Sequence, residues 1–396
     1  MLKILAINAG SSTLKFKLID MDTKTKLAKG MVDRMGMPGS TFSMTYGDQP
    51  KYKQDIKIES HDAAAKFILD KLKEFKVIGA DDEIKGIGHR VVSGGNIFTD
   101  STLVDQHVLD QIRSLGDYAP LHNPAEADGI AAFMKLLPGV PEVAVFDTTF
   151  HRTMPPVNYL YSIPYEYYEK YGVRKYGAHG TSYRYLSKRA GEILNKPLKD
   201  LKIIAMHLGS GASMCAIEDG KSLDTSMGFT PLAGITMATR SGDIDASLVA
   251  FLKKKLNVST DEIVDMLNHK SGILGISGLS PDMRDLEKTR FTRDRSQLAI
   301  DIFTNRIVKY FGSYAAIMHG VTTLVFAGGI GEGDPVMRKR ICDQLDYFGV
   351  KIDAKQNDEE GIERIISTPD SKVTVMVIPT NEEIVIAEDV VKLIKK

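Results

Sequence analysis

Cysteine is scarce in this 396-residue chain: two residues, Cys215 and Cys342, far apart and without CxxC spacing. That gives no basis for a disulfide framework or a zinc site, and it fits a reducing, cytoplasmic setting. Net charge is lacking as well. The 51 Lys plus Arg balance 51 Asp plus Glu, so no overall positive field argues for nucleic acid or an anionic membrane as partner. Apolar runs stay far below the ~18 to 20 residues that span a bilayer. The first ten residues are interrupted by Asn8 and the Gly-Ser cluster that follows, and they read as a buried strand rather than a signal peptide. Neither a GxxxxGK[ST] loop nor a good GxGxxG occurs, which disfavours P-loop and Rossmann readings.

What is present is ordinary globular composition, 43% hydrophobic and 26% charged, at a length that favours two domains, each able to bury a core. Residues 4–7 are apolar, 8–12 form a polar Gly/Ser loop, 14–19 alternate, 20–23 are turn-like, and alternation resumes from Leu27. Two-residue periodicity on both sides of the turn indicates a strand meander. The same sequence of features returns at 203–206, 207–213, 214–217 and 218–220, about half a chain length later. A repeat of that period indicates duplicated domains, not a solenoid of short units.

Between the two hairpins, helical spacing runs over 61–75. Asn123-Pro124 has the look of an N-cap followed by proline, and Ser259 with Glu262 has capping-box spacing. Short apolar runs at 87–88, 143–146, 324–327 and 375–378 read as interior strands of a mixed sheet flanked by helices. Polar residues follow them, where such sheets gather ligands. A boundary is expected near 150, giving domains 1–150 and 151–382, with an amphipathic helix over 383–396 packing back on the first domain.

Three Gly/Ser-rich turns follow apolar strands, at 8–13, 207–213 and 327–334. Each is either a tight structural turn or a nest whose N–H groups approach an anion. Four polar residues stand in unusual company: Arg90 and Asp147 after strands, His179 in YGAHGTS, and Arg240 in ATRSGD. Glycine and hydroxyl neighbours expose a side chain where apolar ones would pack it.

Taken in order, INAGSSTLKFKL, HRVVSGG, LHNP, VFDTTFH, YGAHGTSY, MHLGSGAS, MGFTPLAG, TRSGDID, FAGGIGE and PTNEE resemble the acetokinase family of short-chain acyl kinases, and the similarity covers essentially the whole chain. The resemblance implies an α/β fold of the acetate and sugar kinase, Hsp70 and actin superfamily: two duplicated actin-like ATPase (ribonuclease H-like) domains with a cleft between them, usually as a homodimer. It implies reversible transfer of a phosphoryl group from ATP to acetate, giving ADP and acetyl phosphate, with Mg2+ as metal and Mn2+ able to substitute. Neither nucleic acid nor a membrane is an expected partner.

Carried over residue by residue, the resemblance makes Asp147, His179 and Arg240 catalytic. Arg90 becomes the clamp for the acetate carboxylate, with Val92, Leu121 and Pro231 around the methyl group. Nucleotide and phosphates fall to Ser12 and Lys15, to His207, Leu208, Gly209, Ser210 and Gly211, to Asp282, Met283 and Arg284, and to Gly328, Gly329, Ile330, Gly331 and Glu332. Asn8 and Glu382 match the metal positions. These residue types suit a reaction that asks for alignment and charge neutralisation more than covalent work. Acetate is already ionised near neutral pH, so Asp147 is read as a positioning or metal-water group instead of a base.

The chain departs from the family's common pattern at Ser210, where Asn is usual, at Ser93 and Tyr183, where His is usual, and at Ala178, where many relatives carry Phe. Less volume at Ala178 makes a propionate-preferring kinase the alternative within the family. An Hsp70- or actin-like binding module is the alternative outside it, and the sequence leaves no obvious room for the peptide-binding or polymer contacts it needs.

Overall fold

Ile4, Leu5, Ala6 and Ile7 are all buried, without a polar break, as a strand covered on both faces requires. They form the centre of β1 (Lys3–Ala9). A computed structural model describes residues 1–120, 122–359 and 361–395. In it β1 pairs antiparallel with β2 (Leu14–Asp20), which pairs antiparallel with β3 (Thr25–Asp33). β4 (Thr41–Tyr46) and β5 (Tyr52–Asp55) extend the meander. On its other side β1 lies parallel to β6 (Ile84–Val91), which lies parallel to β8 (Glu142–Phe146), and β7 (Thr102–Leu103) closes that edge antiparallel to β8. The strand order is β5-β4-β3-β2-β1-β6-β8-β7.

The expected repeat is present as topology. β9 (Lys202–Leu208), β10 (Ala212–Glu218) and β11 (Lys221–Thr225) form a second antiparallel meander. β12 (Thr323–Ala327) lies parallel to β9, β14 (Thr374–Val377) lies parallel to β12, and β13 (Arg364–Ile365) pairs antiparallel with β14. The order β11-β10-β9-β12-β14-β13 matches β3-β2-β1-β6-β8-β7 strand for strand and direction for direction.

Two compact units result: Met1–Thr149 together with the segment from Asn381 onward, and Phe150–Thr380. In the first unit one sheet face packs Leu5, Ile7, Phe16 and Ile87 against Ile68 and Leu72 of the helix His61–Glu74 and Phe133 of the helix Asn123–Leu136. The opposite face packs Ile4, Ala6, Val143 and Val145 against Ile386, Ala387 and Val390 of the helix Glu382–Ile394. Gly86 and Gly88 allow that close approach, since a Cβ on Gly88 would stand 2.2 Å from Ile386 Cγ2. In the second unit the long helix Asp294–Ile317 buries Ile300, Phe303, Ile307 and Phe311 against Met206, Met214 and Phe326 of the sheet.

Helix starts follow local chemistry with one correction. Ser60 caps the helix His61–Glu74 by accepting from Ala63 N, and Ser259 with Glu262 forms the expected capping box. Asn123 is not a side-chain cap. It is the first residue of its helix, the preceding His122 makes no side-chain cap bond, and the Asn123 amide is turned to Ser93 instead. Residues 328–333 are helical, so the third Gly-rich segment is a strand-to-helix junction and not an open turn. Among the described residues no helix is long and apolar enough to cross a membrane, and Cys215 and Cys342 are free and buried.

Candidate active site

β6 and β8 are parallel neighbours, so their carboxyl ends lie at one edge of the sheet. Arg90 is next to last in β6, opposite Val145, and Asp147 follows β8 directly. The two side chains meet there. Arg90 Nη2 donates to Asp147 Oδ2 at 2.6 Å, and Nε lies 3.1 Å from Oδ2 and 3.3 Å from Oδ1. Such fork geometry gives a guanidinium and a carboxylate both strength and fixed orientation. Asp147 is 0% exposed, and its backbone N–H is held by Val91 O. These bonds use Nε and Nη2, which leaves the N–H groups of Nη1 outside the pair with Asp147.

Two more carboxyls join the cluster. Glu382, in the first turn of the helix Glu382–Ile394, places Oε2 3.6 Å from Arg90 Nε. Burial, opposed by Arg90 and reinforced by Asp147, pushes its carboxyl up to about 7. Glu126 accepts from Val92 N at 2.9 Å, and burial pushes it up to about 8. On Arg90 itself, burial works against the charge, but Asp147 and Glu382 outweigh it and the guanidinium is held more firmly protonated.

Asn8 and Lys15 face each other across β1 and β2, Ser12 sits in the turn between them, and Lys15 contributes a favourable charge to Glu382. Val92 lies one residue beyond β6 and is buried. Leu121 lies outside the described residues. Asn8 and Glu382 offer oxygen donors, the kind that Mg2+ prefers when it keeps several waters and takes one or two carboxylates, whereas both oxygens of Asp147 are taken by Arg90. Among the described residues no cluster of three His, Cys, Asp or Glu makes a self-sufficient metal cage.

In the second unit His179 precedes the helix Gly180–Leu194 with φ 56, the left-handed region that non-glycine residues seldom occupy. Gly177, with φ +74, has no room for a Cβ, which would stand 2.5 Å from Thr225. The His179 ring is fixed on two sides. Its Nδ1 lies 2.8 Å from Ser213 Oγ, itself 2.5 Å from Tyr183 Oη, and its face stacks on His207 with centroids 4.2 Å apart. His207 Nδ1 lies 2.9 Å from Ser182 Oγ, which is 2.8 Å from Thr380 Oγ1.

Arg240 donates Nη1 to Pro231 O at 3.2 Å. A Cβ added at Gly211 would lie 3.7 Å from Arg240 Nη1 and 3.7 Å from His179 Nε2, so glycine there lets an anion approach both. Ala178 is buried in the core of this unit, its carbonyl 2.9 Å from His151 Nε2.

A cavity of about 530 Å³ in the second unit is of ligand size. It is lined by Gly209 and Ser210, by Asp282, Met283 and Arg284, and by Gly329 and Ile330, with Ile273 and Phe303 as apolar wall. Asp282 caps the helix Met283–Thr289, and the Arg284 side chain lowers its carboxyl to about 2. His207, Leu208, Gly211, Gly328, Gly331 and Glu332 are not in the lining. Glu332 instead holds two backbone donors, Gly328 N at 2.8 Å and Thr380 N at 3.1 Å. Sequence reasoning missed Glu126 and Ser213, and it gave Asn123 and Tyr183 no part in the site. Ser213, Asn123 and Tyr183 lie inside motifs already noted, whereas Glu126 carries no local signal.

Residues 3–388 match the Acetokinase family. The chain is 59% identical over 391 residues to acetate kinase 1 of Latilactobacillus sakei, covering 99% of each chain. Among solved structures, acetate kinase of Porphyromonas gingivalis superposes with TM-score 0.92 at 42% identity, covering 100% of both chains. A propionate kinase from Francisella tularensis gives 0.93 at 40% identity, covering 99% of this chain and 100% of that one.

Glu126 ties stability to pH. Between its ordinary 4.5 and about 8, the folded chain holds a proton that the unfolded chain has released. Stability therefore falls as pH rises through that window and levels off above it. Glu126→Gln removes this contribution. Urea unfolding at about pH 5 and about pH 8 is expected to show a smaller decline for the variant than for the parent chain, and an equal decline would mean that Glu126 does not titrate there.

Proposed function

The chain belongs to the acetokinase family and acts as an acetate kinase, and we propose that it does so by in-line phosphoryl transfer with separate groups for the carboxylate substrate and for the phosphates. Its halves are duplicated domains of the actin-like ATPase type. The observation that carries the mechanistic reading is the convergence of His179, Arg240 and the bare backbone of Gly211 in the unit that also holds the 530 Å³ cavity.

In this reading the cavity takes the nucleoside part of ATP, with Gly329, Ile330 and Ser210 toward the phosphates. Arg240 and His179 donate to the equatorial oxygens of the transferring group, where charge must be held while the bond to ADP breaks. His179, locked by Ser213, Tyr183 and His207, needs no reorganisation to do so. In the first unit Arg90 presents Nη1 to the carboxylate of acetate while Asp147 holds the rest of the fork. One acetate oxygen forms the new P–O bond as the β,γ-bridging oxygen leaves with ADP. No general base is required, and Asp147 acts by orienting Arg90. Asn8 and Glu382 are the groups that would hold Mg2+, which when bound neutralises phosphate charge.

We assign the protein to the cytoplasm and to a homodimer. Supporting the latter, the second unit exposes Val157, Tyr165, Tyr167 and Tyr171 in one stretch and Phe251 and Leu256 in another, more large apolar surface than scattered single residues supply.

Three measurements test this function. With ATP and trapping of the acyl phosphate as hydroxamate, kcat/KM for acetate is expected to exceed that for propionate by about tenfold, the scale of one methylene in an apolar pocket, and that for butyrate by more. A propionate value above acetate's would make the chain a propionate-preferring kinase. Arg240→Ala is expected to lower kcat by about two orders of magnitude or more, whereas Arg90→Ala raises acetate KM as its main effect. Near-normal kinetics in both variants would remove the proposed site. Light scattering should return twice the 43.7 kDa chain mass, and a single chain mass at assay concentration removes the dimer.

A further inference from the structure

The turn that follows β6 is held by side chains. The N–H groups of Val92, Ser93, Gly94 and Gly95 go in succession to Glu126 Oε2 at 2.9 Å, Asn123 Oδ1 at 3.0 Å, Thr148 Oγ1 at 3.0 Å and Ser93 Oγ at 3.2 Å. Asn123 completes the clasp by donating Nδ2 to Ser93 O at 2.9 Å. Buried backbone donors are normally satisfied within the sheet or a regular turn. Here four consecutive donors depend on side chains, so the path of the chain leaving β6 is set by the residues that accept from it.

Asn123 and Glu126 are three apart on the helix Asn123–Leu136, so their side chains leave the same face. Both are buried, at 0% and 2% exposed. Asn123 is an ordinary choice for such a clasp, because it is neutral and has a donor and an acceptor. Glu126 is not ordinary, because an ionised carboxylate at this depth would be a second anion competing with Asp147 for Arg90. Burial resolves the conflict by keeping the proton on Glu126 at neutral pH, where its pKa stands at about 8. It then accepts from Val92 without adding a charge.

We propose that Glu126 is a positioning residue for the carboxylate substrate: through the Val92 N–H it fixes the end of β6 and thereby the direction in which Arg90 presents Nη1. The proposal rests on the assignment of Arg90 to that substrate. It requires an acceptor at position 126 with the reach of the native side chain, and it does not require the ionisable proton.

Three variants at position 126 separate these requirements, with acetate KM, ATP KM and kcat measured for each at neutral pH. Glu126→Ala leaves the Val92 donor buried and without its partner. It is expected to raise acetate KM about tenfold while ATP KM and kcat stay within about threefold. Glu126→Gln keeps a neutral acceptor at the same reach and restores acetate KM to within about twofold of the parent value. Glu126→Asp falls one methylene short and raises acetate KM as alanine does, which keeps the test available if the alanine variant does not fold. Arg90→Ala is measured alongside. If Arg90→Ala raises acetate KM while Glu126→Ala or Glu126→Asp does not, the inference fails and the assignment of Arg90 stands. If Arg90→Ala leaves acetate KM unchanged, the assignment fails and takes the inference with it. A loss in Glu126→Gln equal to that in Glu126→Asp also overturns the proposal, because the proton and not the acceptor would then matter.

Discussion

One guanidinium stands among three carboxyls, Asp147 and Glu126 buried and Glu382 partly so, and it gives its hydrogen bonds to only one of them. Arg90 gives its fork to Asp147, which is wholly buried and reachable because β6 and β8 run side by side in the same direction. Glu382 and Glu126 are left to solve their desolvation by retaining protons more tightly, at about 7 and about 8. Isolated from Arg90, Asp147 would be an uncompensated charge in the interior, a far worse state than the paired one. The pair therefore constrains the strand order, the entry of the helix Glu382–Ile394 and the clasp on the turn after β6.

The second unit repeats the topology and reverses the electrostatics. Around the corresponding ends of β9, β12 and β14 and the start of the helix Gly180–Leu194 stand imidazoles, hydroxyls and glycines, joined as His179, Ser213 and Tyr183 on one side and His207, Ser182 and Thr380 on the other, with Glu332 on the backbone N–H groups of Gly328 and Thr380. Donors of this kind and glycine backbone leave room for an anion to approach. Duplication supplied one scaffold twice, and the two halves differ in what stands there: an arginine among carboxyls in the first, imidazoles, hydroxyls and glycines in the second.

Much of the scaffold was legible because its signals are local. Alternation over 14–19, the apolar runs at 214–217 and 324–327 and the Ser259 to Glu262 spacing are consequences of side-chain periodicity and capping within a few residues. Asn123 misled for the same reason: asparagine before proline has a local meaning as a cap, and the structure uses its amide for a partner 30 residues away. Glu126 was invisible because nothing distinguishes it in sequence from any acid in a first helical turn. Its depth and its partner Val92 exist only once β6 lies beneath that helix. The segment 328–333 shows a middle case, since its glycines announced a close backbone approach without disclosing that the backbone there would be helical.

The helix Glu382–Ile394 belongs to the first unit yet is synthesised after every residue of the second. Until it emerges from the ribosome, Ile4, Ala6, Val143 and Val145 lack the cover of Ile386, Ala387 and Val390, and the grooves over Gly86 and Gly88 have nothing seated in them. Residues 150–380 face no such wait, for their core is drawn from one continuous segment. The order of birth along the chain is thus inverted in the order of completion: the half begun first is finished last, and a nascent chain carries an open apolar sheet face through most of its synthesis.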